Sequence, residues 1–161
     1  MMAKTATYSL IQSQTTSGSS TTVITFSSIP QTFTDLVLVV NGAAVSGGPD
    51  LKYTFNSDTG SNYARIAFYG SGSAAFVARD VNQTGTNTGY LGTSNTTNIL
   101  NVPDYSNTTT YKNIVGRIGG GNAYLGTWRS TAAISSITLT IVSSSYASGC
   151  TFKLYGIEAY K

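Results

Sequence analysis

Hydrophobic and polar positions in this chain alternate with a period of two over many short stretches. In Ser136–Ile141 the apolar residues Ile137, Leu139 and Ile141 take one face, and Ser136, Thr138 and Thr140 take the other. Leu51–Asn56 repeats the pattern, with Leu51, Tyr53 and Phe55 inward and Lys52 and Thr54 outward. Thr22–Ser28 sets Ile24 and Phe26 against Thr25, and Pro30 closes it. Strict alternation over four to eight residues marks a half-buried strand. Asp35–Asn41 differs, because Leu36 to Val40 are all apolar. So short an apolar run predicts a strand buried on both faces.

Further strands are expected at Thr5–Gln12, Ala64–Tyr69, Ala75–Val81, Thr97–Val102, Lys112–Ile118, Asn122–Arg129 and Cys150–Tyr160. Between them lie turn signals: Asn41-Gly42, Gly47-Gly48-Pro49, Asp58-Thr59-Gly60, Gly70–Ser73 and Gly119-Gly120-Gly121. Ser13–Thr22 reads as a linker, which makes residues 1–21 an N-terminal strand or arm. Residues 82–96 form the longest polar stretch, interrupted by Tyr90 and Leu91, and read as a loop. The expected fold is all-β: one domain over residues 1–161, a two-sheet antiparallel sandwich, jelly-roll-like, with about eight to ten strands. No repeat of fixed period argues for a propeller or β-helix.

Composition agrees with that class. The chain holds 25 threonines and 21 serines, and only 9% of its residues are charged. Thr, Val, Ile and Tyr suit pleated surfaces, whereas exposed helix faces draw on Glu, Lys and Ala. At 161 residues the chain can bury one full core without a disulfide or metal staple. Residues 1–30 lack a basic-then-apolar leader pattern, and no apolar run approaches the ~18 residues of a membrane span. Nine Lys and Arg against six Asp and Glu give a net charge of +3. The cations are scattered singly, so no basic face for nucleic acid is expected.

Candidate chemistry is sparse. The chain contains no histidine, which removes the usual general base and the commonest transition-metal ligand. Its one cysteine, Cys150, reads as a small buried side chain. The six acids are Asp35, Asp50, Asp58, Asp80, Asp104 and Glu158. Most sit beside turn residues, where aspartate satisfies backbone N–H groups, so a glycosidase pair is not expected. Asn56-Ser57-Asp58-Thr59-Gly60 echoes the start of a calcium loop but lacks its later bidentate acid. A tight turn with Gly60 at positive φ explains it more simply. No catalytic residue, metal site or cofactor is expected. Trp128 is open to two roles, a core anchor or a stacking platform. Tyr90, Leu91 and Tyr105, set in polar surroundings, are the candidate contact surface. The sequons at Asn82, Asn95 and Asn107 are what so much Asn and Thr produces by chance.

Three stretches carry a resemblance. They are Ile24–Leu38, Phe55-Asn-Ser-Asp-Thr-Gly-Ser-Asn-Tyr63, and Ile134–Leu139 together with Thr151-Phe-Lys-Leu-Tyr-Gly-Ile157. In order and spacing they resemble a family of small virion proteins of cyanophages and other marine phages, whose members often have serine where this chain has Cys150. The resemblance implies a jelly-roll-like sandwich displayed on the virion. With no collagen-like, coiled-coil or shaft region, the expected role is a capsid decoration (cement) subunit on the outer capsid surface, made in the host cytoplasm. A tail-fibre or receptor-binding, carbohydrate-binding module is the alternative. The expected partners are the major capsid protein and copies of the chain itself, as a homotrimer where shell subunits meet. Neither nucleic acid nor membrane is expected as a partner. Few charges on the surface mean little electrostatic repulsion between copies.

Overall fold

The computed structural model describes residues 7–119 and 121–158. These form twelve strands: β1 (Tyr8–Thr15), β2 (Val23–Phe26), β3 (Asp35–Gly42), β4 (Asp50–Phe55), β5 (Tyr63–Ser71), β6 (Ala74–Gln83), β7 (Thr86–Tyr90), β8 (Thr96–Pro103), β9 (Lys112–Ile118), β10 (Asn122–Trp128), β11 (Ile137–Ile141) and β12 (Thr151–Ile157). No helix occurs among the described residues. One sheet runs β1-β12-β3-β8-β9-β10-β5-β6 and the other β2-β11-β4-β7, with every pairing antiparallel.

The strand order defines the topology. Setting aside the hairpins β5–β6 and β9–β10, the remaining strands read β1-β12-β3-β8 against β2-β11-β4-β7. Those eight strands, crossing back and forth between two sheets, are a jelly roll. The β5–β6 hairpin is inserted between β4 and β7, and β9–β10 between β8 and β11. Both attach to the β8 side of one sheet and widen it from four strands to eight. The expected eight to ten strands therefore become twelve, because two hairpins extend a frame of eight.

Alternation places the core. Ile137, Leu139 and Ile141 are buried, as are Leu51, Tyr53 and Phe55 opposite them in register. They meet Leu36, Leu38, Val40, Phe152 and Leu154 of the other sheet. Fully burying such a side chain contributes about 1.5–3 kcal/mol. The β3 run is buried on both faces over Leu36–Leu38: Val37, on the outer face, lies between Tyr155 and Asn101 of the flanking strands. At the other end of the core, Trp128 stacks on Tyr63 at 6.3 Å and packs on Phe55 at 5.6 Å. Trp128 is thus a core anchor, and the platform role is excluded for its buried ring.

Several boundaries differ from the expectation. Ser13–Thr15 is no linker but the end of β1, paired with Thr151–Lys153. The amides of Gln12 and Gln14 donate to the carbonyls of Ser27 and Thr25, each at 2.7 Å, which ties β1 to β2 of the other sheet. Polar residues hold this strand by backbone and amide bonds that a hydrophobic pattern does not record. Residues 82–96 are not one loop. They contain β7, in which Gly89 makes room for Leu51, as Gly85 just before it does for Lys52. The expected start at Thr5, the middle of the triple glycine at Gly120 and the expected end at Tyr160 lie outside the described residues.

Candidate functional site

The residues with the most chemical promise turn out to hold loops. After β4 the backbone turns through Asn56 (φ 52°) and Ser57 (φ 57°), and Asp58 N–H closes the turn on Phe55 O at 2.9 Å. Two successive left-handed residues are the requirement of a type I′ turn. The positive φ therefore falls on Asn56 and Ser57 and not on Gly60. The Asn56 side chain accepts from Ser135 N (2.8 Å) and Ser136 N (3.1 Å), and donates to Ala133 O (2.8 Å). It fastens this turn to the segment that enters β11.

Asp58 makes the second anchor. Its carboxylate accepts from Trp128 Nε1 at 2.7 Å, Gly60 N at 2.8 Å and Asn62 Nδ2 at 2.9 Å. The indole bond first, then the bonds from Asn62 and Gly60, hold its pKa below the ordinary 3.8 against partial burial. Three N–H donors surround the oxygens that a calcium loop would offer to an ion. Tyr63 completes the knot: its hydroxyl accepts from Phe55 N and donates to Asp58 O, both at 3.0 Å. Burial, above all, pushes the Tyr63 phenol up to about 12.

The other acids are also engaged or isolated. Asp35 accepts from Asp104 N at 2.9 Å, and Asp80 pairs with Arg65 at 2.5 Å. Among the described residues, no group of three or more His, Cys, Asp or Glu side chains is placed to hold a metal ion. Cys150 is buried against Ala43, its Sγ–H donating to that carbonyl at 3.3 Å. A Cβ on Gly42 would lie 2.3 Å from this sulfur, so the two small residues fit one another. Sequence reasoning passed over Lys112. It is buried, and its ammonium donates to Thr110 O (2.9 Å) and Thr131 O (3.3 Å). Desolvation lowers its pKa, partly opposed by Asp104.

The candidate contact residues separate. Leu91 and Tyr105 are 0% exposed. Leu91 fills the core beneath its bond to Pro49 O, and the Tyr105 hydroxyl donates to Pro30 O. Both are corrected from surface to core: local polarity in sequence concealed that their rings and methyls point inward. Tyr90 alone remains outside, at 43% exposure. Its ring lies so close over Gly48 that a Cβ there would overlap it.

A different surface is uncovered. β7, the edge of the smaller sheet, packs across β9, β10 and β5 and stops there. The β5–β6 hairpin extends beyond it as a wing whose residues Ala74–Val77 are exposed on both sides. On the outer face Phe68 pairs with Val77, and the row Val115-Leu125-Ile66-Arg79 runs alongside. Phe68, Val77, Leu125 and Val115 are all exposed, Val77 at 68%. A shallow recess of about 400 Å³ lies along this row. On the inner face Tyr69 and Phe76 stack at 5.5 Å and are likewise exposed. The charges of the wing, Arg65 and Asp80, neutralise each other, and Arg79 is the only other one on it.

No protein-family model matches the chain, and no curated protein is similar to it at a significant level.

Proposed function

We propose that this chain is a structural, non-catalytic protein of a bacteriophage particle: a decoration subunit that binds the assembled capsid shell and stabilises it. The observation that carries the reading is the wing with its adjoining sheet face, an apolar surface with Arg79 and Arg117 on its outer side, on an otherwise hydroxyl-coated sandwich. Single exposed apolar side chains are ordinary, but a contiguous patch of several hundred Å² marks a contact surface. The rest of the molecule suits passive duty. Asn56, Asp58, Tyr63 and Lys112 are spent on fastening turns, which makes a rigid body of a chain rich in loops. The three stretches that resemble phage virion proteins fall on this frame: Phe55–Tyr63 is the knotted turn, and Thr151–Ile157 is the strand at the centre of the jelly roll beside β3.

A subunit that binds the closed lattice and not free shell subunits shifts the equilibrium towards the lattice by mass action. Co-sedimentation tests this directly. Recombinant protein should pellet with assembled shells and saturate at a fixed ratio to the major capsid protein. It should not bind unassembled capsid subunits. Binding instead to isolated host polysaccharide, with none to shells, would move the chain to a tail-fibre or receptor-binding role.

A further inference from the structure

The outer face of the larger sheet carries its cations in a regular order. Strand register puts Lys153 of β12 and Arg117 of β9 in one cross-strand row. Arg79 of β6 ends the next row, which runs from Val115 through Leu125 and Ile66. Successive cations are three strands apart, a step of about 14 Å across the sheet. Arg79 and Arg117 are exposed, and among the described residues neither has a hydrogen bond or ion pair. Asp80, beside Arg79 in sequence, points to the other side of the hairpin, where Arg65 holds it. Asp35, the acid of this face, accepts from Asp104 N at 2.9 Å. Between the two arginines the surface is aliphatic: Val115, Leu125 and Ile66 line the recess of about 400 Å³.

We infer that this face takes an extended, acidic and apolar segment of another protein. The segment lies across the strands, with carboxylates on Arg117 and Arg79 and an apolar side chain in the recess between them. This rests on the reading above that the face meets the shell, and it names the chemistry the shell supplies there. Free guanidiniums set in an apolar face call for carboxylates carried on an apolar partner. Spacing selects the segment further. An extended chain rises about 3.3 Å per residue and alternates its side chains, so residues i and i+4 share a face about 13 Å apart. Acids at i and i+4 match the three-strand step within the reach of two flexible arginine side chains, and residue i+2 faces the recess. The pattern required is acid-x-apolar-x-acid. A nucleic-acid strand carries a charge about every 3.4 Å, far denser than these cations, and its bases stack on aromatic rings, not on aliphatic side chains.

Two arms test this on the full-length protein, one with shells and one without. In co-sedimentation, R79Q/R117Q should bind shells about tenfold more weakly than wild type, while R79K/R117K keeps most of the affinity. Added salt should weaken wild type more than R79Q/R117Q, because it screens exposed charge. Both positions are exposed, so each variant should keep the wild-type Trp128 emission. Equal shell binding by wild type and R79Q/R117Q overturns this inference and leaves the shell reading standing. The second arm titrates the blocked peptide Glu-Thr-Leu-Thr-Glu into isotope-labelled protein and follows the amide resonances. Shifts should be confined to β9, β10, β5 and β6, and should vanish with Gln-Thr-Leu-Thr-Gln and in R79Q/R117Q. No shift with the acidic peptide, or equal shifts with both peptides, overturns the inference. So does binding to phosphatidylglycerol vesicles with none to the peptide. If wild type fails to bind shells, the shell reading falls and the peptide arm alone decides this one.

Discussion

Replacing Asp58 by alanine should destabilise the protein by about 3 kcal/mol, most of it through a single buried donor. Trp128 is buried and its Nε1–H has Asp58 as its acceptor at 2.7 Å. Leaving such a donor unsatisfied costs about 1–3 kcal/mol. Gly60 N and Asn62 Nδ2 lie nearer the surface and regain water, so each adds at the low end of the net ~0.5–1.5 kcal/mol of a hydrogen bond. For a domain of this size 3 kcal/mol corresponds to a fall in Tm of roughly 10 °C. Urea titration followed by fluorescence is well matched to the question, since Trp128 is the only tryptophan and sits at the site. W128F removes the donor, and a double-mutant cycle with D58A isolates the pair. The acid limb gives a second check. Asp58 has a pKa below 3.8 in the folded state, so its contribution is present in full above that value. It is lost as pH falls through the lower, folded value. The gap between wild type and D58N should therefore narrow as pH falls through 3.8 and below. A D58A loss under about 1 kcal/mol, or a coupling of zero in the cycle, would refute the account of this turn.

Leu139 is fully buried, so L139A should cost about 2–5 kcal/mol in the same urea assay. G156A should cost about 1–3 kcal/mol by overpacking, because a Cβ there would lie 2.2 Å from the Phe33 ring; an unchanged midpoint would mean that Phe33 moves aside freely. Cys150 should resist a thiol reagent in the native protein and react once in denaturant, since only unfolding opens it to solvent. Shells carrying the protein should survive a higher temperature than shells stripped of it, and equal survival would count against a stabilising role.

How much of this was legible in the sequence follows from which forces wrote each part. Where one face of a strand is buried, alternation is compulsory, and Ile137–Ile141 and Leu51–Phe55 could be read residue by residue. β7 could not be read, because Thr86 is its buried side chain and glycine flanks it, so no apolar beat marks it. The end of β1 is held by Gln12, Gln14 and Thr16, whose hydrogen bonds reach 11 to 134 residues away. Nothing local announces them. Aromatic and apolar residues set in polar stretches point to Tyr90, which is exposed, and to Leu91 and Tyr105, both buried. Exposure is decided by where the second sheet ends, and that is a property of the topology. Tyr69 and Phe76 look like core in sequence, and they would be core had the smaller sheet one more strand, whereas Phe68 and Val77 lie on the outer face, which no second sheet covers. The Asp58 knot was half legible: aspartate before a glycine suggested a turn, while Trp128, 70 residues away, gave no sign of being its partner.

The number of copies per particle tests the central claim most directly. Quantitative mass spectrometry of purified virions would count this chain against the major capsid protein. A decoration subunit predicts copies in the hundreds, at a fixed simple ratio to the shell protein. A few tens of copies or fewer, scaling with tail components, would contradict the account.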